Sequence, residues 1–268
     1  MIPLICIDVD GTLVGSSGVV TDVVWHAVDR ALRRGQHLAL STARGAFASS
    51  LEMAQRLDPS GWHVFHAGGA TVHTGTGESR GHPLSGVQID TALRIADERD
   101  WVLELYSADD YAVESTTDLA IEHAALIGVP FEATELASFV NADHPIVRAQ
   151  FVVPESDISL VRAALDGLEL SITSATSPIM PGAAFVSATR AGITKASGIS
   201  QICGDLDINI ARVMMIGDGL NDVPAIEAVG HPVAMGNAAP EVKALARHHV
   251  ASVHEDGVAE ALDLSATL

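Results

Sequence analysis

The sequence predicts an α/β protein in which a parallel-sheet core, built from two lengths of chain, carries an inserted α+β module. Three observations predict it. Short apolar runs at Leu4–Ile7 and Val213–Ile216 each end in aspartate and glycine, as buried parallel strands do where they leave a sheet. Strand-like and helix-like segments alternate strictly near both ends of the chain. Between about residues 83 and 186 the alternation gives way to a mixed order, and then it returns. The core is therefore set at 1–82 and 187–268, and the inserted module at 83–186.

Each element follows from its own signals. After the first strand, Val24, Ala27, Val28, Ala31 and Leu32 recur at helical spacing behind Thr21, a natural N-cap, and Gly35 ends the helix. Gln36–Leu40 is a strand that stops at Ser41–Thr42–Ala43–Arg44–Gly45, and an alanine-rich helix runs from there to about Leu57. Trp62–His66 is a strand, followed by Gly68–Gly69 and a hairpin-like stretch from Ala70. Within the module, Ile89–Arg99, Asp118–Leu126 and Glu155–Leu165 read as helices. Trp101–Tyr106, Tyr111–Ser115, Ile146–Val153, Leu170–Ile172 and Ala184–Ala188 read as strands, expected in an antiparallel sheet with helices on one face. The core style resumes with a helix at Ala196–Cys203, the strand Val213–Ile216, the loop Gly217–Asp222 and a helix at Val223–Val229. A strand at Pro232–Met235, a helix at Pro240–Ala246, a short strand at His249–Ala251 and a helix at Val258–Leu262 complete it.

The 268 residues, 48% hydrophobic and 18% charged, are enough to bury one large core or two modest ones. A formal net charge of −19, from 34 acidic and 15 basic residues, argues against a nucleic-acid backbone or an anionic membrane as the main partner. An acidic protein that handles anions needs local positive charge, and Lys195 and Lys243 are its only lysines. Cys6 and Cys203 stand far apart and suggest buried thiols in a reducing compartment. The first ten residues lack a basic leader, and no apolar run approaches the ~20 residues of a membrane span, so a cytoplasmic protein is expected. The histidine pairs His63/His66 and His248/His249 have no ligand framework around them and read as ordinary surface or core residues.

The chemistry is expected beyond the carboxyl ends of the strands. Asp8 and Asp10, two apart along an extended segment, would point the same way and could share one cation or one reacting group. Gly11 lets the backbone turn closely past an anion, and Thr12 can cap or hydrogen-bond the turn beyond it. The loop Gly217–Asp222 offers Asp218 and Asp222 at the end of a second strand; with the first cluster these form a hard oxygen site of the kind magnesium prefers. Taken alone, the loop is equally a glycine–aspartate turn, the hydroxyl of Thr42 a helix cap, and Lys195 a solvated lysine. Lys195 could instead neutralise a phosphate beside the carboxylates.

These residues, in order, resemble the four motifs of the haloacid dehalogenase-like hydrolase superfamily: DVDGT at Asp8–Thr12, the hydroxyl strand end Ser41–Thr42–Ala43–Arg44, Lys195, and GDGLND at Gly217–Asp222. The stretch Val233–Ala238, with Glu255–Val258, is similar to the Cof-like subclass, whose α/β cap lies between motifs two and three. STAR stands where that subclass commonly has ATGR, and Gly68 where it often has asparagine. The resemblance implies a Rossmann-like core with an inserted cap and a magnesium-dependent phosphatase. It implies Asp8 as nucleophile and Asp10 as general acid and base. It places the metal on the Asp8 carboxylate, the Asp10 carbonyl and Asp218 with Asp222 in support, and the phosphoryl group on Thr42, Lys195 and Asn221. Arg44 is left between an anion site and an ion pair.

A phosphomutase would use the same motifs and return the phosphoryl group to a second hydroxyl. A dehalogenase would not need the acid–base group Asp10, and a non-catalytic binding protein would not need the full set Asp8, Asp10, Lys195, Asp218 and Asp222. The expected substrate is a small phosphate ester, a sugar or polyol phosphate selected by the cap. Glu104, Tyr106, Asp109, Asp110, Tyr111, His144 and Arg148 are its candidate hydroxyl-binding side chains, and Gly75–Gly81 and Pro178–Gly182 its candidate hinges.

Overall fold

Leu4, Ile5, Cys6 and Ile7 are all buried, the pattern of a central parallel strand covered on both faces. The computed structural model describes residues 1–140, 145–177 and 179–268. Its elements up to residue 81 are β1 (Leu4–Ile7), α1 (Asp22–Arg33), β2 (His37–Leu40), α2 (Ala48–Leu57), β3 (Trp62–Phe65), β4 (Ala70–His73) and β5 (Ser79–Gly81). Then come α3 (Gly86–Arg99), β6 (Val102–Tyr106), β7 (Tyr111–Val113), α4 (Asp118–Ile127), α5 (Leu136–Phe139), β8 (Arg148–Pro154), α6 (Ile158–Ala164), β9 (Leu170–Ser177) and β10 (Met180–Arg190). The last are α7 (Lys195–Asp205), β11 (Val213–Gly217), α8 (Val223–Ala228), β12 (His231–Ala234), α9 (Pro240–Leu245), β13 (His248–His249) and α10 (Gly257–Leu264). The chain divides into two units. One comprises Met1–Arg44, Ser50–Ser79 and Thr194–Leu268, and the other Gly45–Ser49 and Arg80–Ile193.

In the first unit a parallel sheet runs β13-β12-β11-β1-β2. Ile7 is level with Ile216 on one side and with Leu40 on the other, so Asp8, Gly217 and Ser41 leave the sheet side by side. β1 is where the strand order reverses, and such a point leaves a crevice at the carboxyl ends. Thr21 caps α1 as its sequence predicts, its hydroxyl accepting from Val24 N at 3.3 Å. α1 packs on α10, and α8 packs on both α7 and α9. β3 and β4 form an antiparallel hairpin with Phe65 opposite Ala70.

The second unit is an antiparallel sheet in the order β7-β6-β8-β10-β9. Helices cover both faces, where the sequence led us to expect one. α3, α5 and α6 pack against Leu103, Leu105, Ala149, Phe151 and Val153, while α4 packs against Val102, Val152 and Phe185 on the reverse. The reason lies in β6 and β8, whose alternate residues are apolar or buried polar on both sides, so neither strand shows a solvent face. β10 continues unbroken through residues 186 and 187. Among the described residues, no helix is long and apolar enough to cross a membrane.

Candidate active site

The segment after β1 does not stay extended. Thr12 N donates to Val9 O at 3.2 Å and Val14 N to Val9 O at 2.8 Å, so the chain turns at Val9. Asp8 and Asp10 therefore do not lie on one extended strand, and two-residue alternation does not set where their side chains go. Asp8 is buried, whereas the Asp10 side chain is two-thirds exposed and bonded by Arg44, with Nε to Oδ2 at 3.0 Å and Nη2 to Oδ1 at 2.6 Å. Arg44 thus forms an ion pair with Asp10. Its position is set by buried Thr42, whose N donates to Val64 O and whose hydroxyl accepts from Arg44 N at 3.1 Å.

Lys195 begins α7 with no side-chain exposure, and its Nζ donates to Asp8 Oδ1 and Asp222 Oδ1, each at 2.6 Å. A lysine at a helix N-terminus opposes the helix dipole, so the two carboxylates are what make this burial tolerable. Gly68 lets the turn after β3 reach the start of α7: its φ is +103°, and a Cβ there would overlap Thr194 O. An asparagine here would have no room. Asp222 Oδ2 accepts from the backbone N of Asp218 and of Gly219, both at 3.0 Å, which closes the loop after β11. Asp218 Oδ1 accepts from Thr12 Oγ1 at 2.8 Å, so Thr12 bonds across to the second acidic loop. Gly11, at φ +80°, stands where a Cβ would overlap the Asp218 carboxylate.

Burial pushes the Asp8 carboxyl up to about 7, a rise that Lys195 opposes and Asp222 reinforces. Burial works to lower the Lys195 ammonium, but Asp8 and Asp222 hold it above its usual value, so it stays charged. Asp218 is also raised, chiefly by burial, against the hydrogen bond from Thr12. Asp8, Asp218 and Asp222 each offer a carboxylate oxygen within 4.8 Å of the others. This all-oxygen donor set fits a hard divalent cation such as magnesium, and one lysine leaves the three carboxylates short of positive charge. The Asp10 carboxylate lies outside that group. Asn221 is exposed on the same loop. Sequence reasoning gave no role to Asn237, whose amide bonds both Gly11 O and Asp218 Oδ2. The available signal was its place just past β12, the strand beside β11.

In the second unit, Glu104 is the hub of a buried network. It accepts from Tyr106 Oη at 2.5 Å and Gln150 Nε2 at 2.9 Å, and His123 Nδ1 lies 2.6 Å from its other oxygen. Ser187 donates to Gln150, and the Arg148 guanidinium stacks 3.8 Å from the centre of the Tyr106 ring. Glu104 and Tyr106 thus spend their hydrogen bonds within the fold. Asp109 and Asp110 are exposed, Tyr111 is half-buried, and His144 and Pro178 lie outside the described residues.

Residues 5–262 match the family model of the haloacid dehalogenase-like hydrolases. The chain is 24% identical over 267 residues to a 5-amino-6-(5-phospho-D-ribitylamino)uracil phosphatase of Bacillus subtilis, covering 97% of this chain and 96% of that protein. It superposes with a TM-score of 0.85 on a haloacid dehalogenase-like hydrolase from Bacteroides thetaiotaomicron, at 24% identity over 98% of this chain and 99% of the other. A sugar phosphatase of subclass IIB superposes with a TM-score of 0.79 at 20% identity, covering 99% of both chains. At these identities the superpositions carry the fold.

Proposed function

The chain belongs to the haloacid dehalogenase-like hydrolases, and from that premise we propose that it is a magnesium-dependent phosphatase that hydrolyses a small phosphorylated metabolite, a sugar or polyol phosphate, through an aspartyl-phosphate at Asp8. The observation that carries the reading is the buried Asp8 carboxylate, held by Lys195 beside Asp218 and Asp222 at the reversal of strand order.

Asp8 Oδ attacks phosphorus as the bond to the leaving oxygen breaks, and that oxygen takes a proton from Asp10, which must first leave its Arg44 ion pair and take up that proton. Water then attacks the phosphorus of the Asp8 acyl phosphate, giving its proton to Asp10, and inorganic phosphate departs with the Asp8 carboxylate restored. The Lys195 ammonium, already 2.6 Å from Asp8, neutralises the transferring phosphoryl oxygens, with Thr42 and Asn221 orienting them. Asp8, the Asp10 carbonyl and Asp218, with Asp222 in support, would hold magnesium, which would supply charge stabilisation for the phosphoryl oxygens. The second unit serves as the cap that selects the leaving alcohol. The named phosphatase relatives, one acting on a phosphorylated ribityl compound, support a metabolite-sized substrate.

Release of inorganic phosphate from a panel of phosphorylated metabolites, with and without magnesium, tests this. Metal-dependent release from a sugar or polyol phosphate is the expected result. Rearranged sugar phosphate without free phosphate would instead assign the mutase reaction. No turnover of any ester would overturn both.

A further inference from the structure

We propose that Asn237 is a positioning residue for the metal-site carboxylate Asp218, tying the two acidic strand ends together through one side-chain amide. The inference rests on the magnesium reading above. Asn237 Nδ2 donates to Gly11 O at 2.7 Å and to Asp218 Oδ2 at 3.3 Å, while its Oδ1 accepts from Val253 N at 2.9 Å. The orientation of the amide is fixed by its partners: a carbonyl and a carboxylate only accept, and a backbone N–H only donates, so a flipped amide would lose all three bonds.

The loop that carries Asn237 is itself laced to the site. Met235 N donates to Gly217 O at 3.1 Å, Ala239 N to Asp218 O at 2.9 Å, and Gly236 N to Ala251 O at 3.0 Å. Lys243 Nζ holds Gly236 O at 2.6 Å. The Asn237 side chain is therefore anchored although exposed.

Asp218 is held from two sides. Thr12 engages Oδ1 and Asn237 engages Oδ2, so the carboxylate cannot rotate without losing a donor, and each oxygen keeps a lone pair for a cation. Gly11 O belongs to the turn that bears Asp10, so the same amide also sets the spacing between that turn and Asp218. Partners of this kind orient metal ligands, and their loss costs about 10–100-fold in metal affinity. A purely structural role, in which Asn237 only ties down the turn at Val253–Glu255, would leave metal affinity unchanged.

Isothermal titration of magnesium chloride into metal-stripped, phosphate-free protein separates the two. Asn237→Ala should raise the magnesium Kd about tenfold or more, with the magnesium dependence of phosphate release shifted by the same factor. A second variant approaches from the other end. Val253→Pro removes the N–H that anchors Oδ1 and exchanges the Val253 side chain for the proline ring, at the first position of a short helical turn where proline is accepted, and the extended ψ of 167° at Ser252 suits a following proline. Its magnesium Kd should rise at least about threefold, a share of the same outer-shell loss, and this variant alone decides the matter if circular dichroism shows Asn237→Ala unfolded. A magnesium Kd within twofold of the unmodified protein in whichever variants fold would overturn the proposal. Absence of magnesium binding by the unmodified protein would overturn the magnesium reading itself.

Discussion

The Lys195 ammonium lies 2.6 Å from Asp8 Oδ1 with no part of its side chain exposed, and the same nitrogen is 2.6 Å from Asp222 Oδ1. One cation thus serves two buried carboxylates. Removing it leaves both uncompensated, a change that costs about 3–5 kcal/mol when a buried ion pair loses a partner. Lys195→Met should show that loss in urea unfolding at pH 7.5, with a smaller loss at pH 5, where Asp8 takes up a proton. A variant as stable as the original at both pH values would mean that the carboxylates do not depend on Lys195.

Asp8→Asn keeps the side-chain shape but replaces a nucleophilic oxygen with an amide, so phosphate release should fall to background while the thermal transition persists. Asp10→Asn should retain the fold and lose roughly 10²–10⁴-fold in kcat. Comparable residual rates for the two variants would argue against separate roles as nucleophile and acid–base group.

Gly68 is a position where any side chain should do harm. Gly68→Asn drives a Cβ into Thr194 O at a φ of +103°, and displaced backbone of this kind costs about 1–3 kcal/mol. Because Thr194 precedes Lys195, kcat should fall along with the melting temperature. A neutral outcome in differential scanning calorimetry would show that the turn after β3 has slack.

His63 gives a pH dependence that is independent of the catalytic groups. Its Nδ1 accepts from Leu40 N at 3.0 Å and its Nε2 faces Asp58 O at 3.0 Å, so the buried ring is neutral, and burial depresses its pKa to about 4. An unfolded histidine titrates near ~6.5. The folded value is the lower one, so the unfolded chain binds more protons between these values, and stability present above about pH 6.5 is lost as pH falls toward 4. Between pH 7 and pH 5 this amounts to about 2 kcal/mol. Asp8, whose carboxyl is raised to about 7, contributes an opposite slope over the same range. The His63 effect is therefore read as the difference between wild type and His63→Asn in guanidinium unfolding, which should change by that amount between pH 7 and pH 5; a difference that does not vary with pH would refute the assignment.

Much of the core and the identities of the acidic residues were legible in the sequence, because buried parallel strands leave continuous apolar runs and their ends concentrate Asp, Gly and Thr. The direction of Asp10 was not. It depends on a turn at Val9 that interrupts the alternation, and the hydrogen bonds making that turn, from Thr12 and Val14, carry no compositional mark. Nor was the fate of Glu104 and Tyr106 legible. A carboxylate and a phenol on a strand look the same whether they meet a ligand or one another, and only the register that sets Glu104 opposite Gln150 shows which. Asn237 was hidden for a third reason: its partners Gly11 and Asp218 come from elements distant in sequence and are brought together by the order of the parallel strands.

Gly45–Ser49 belongs with Arg80–Ile193, although it follows directly on Thr42 and Arg44. Phe47 stacks on Tyr106 with ring centres 6.2 Å apart and planes within 14°. The second unit is therefore not a cassette bounded by two cuts. Excising residues 80–193 and rejoining the ends would strand Phe47 with its aromatic partner gone, on the short stretch of chain leading out of the turn that carries Thr42 and Arg44. Transplanting the unit onto a related core would require carrying these five residues as a separate graft. Exchange of selectivity between relatives by swapping the long insert alone should yield chimaeras that fold poorly, and co-transfer of 45–49 should rescue them.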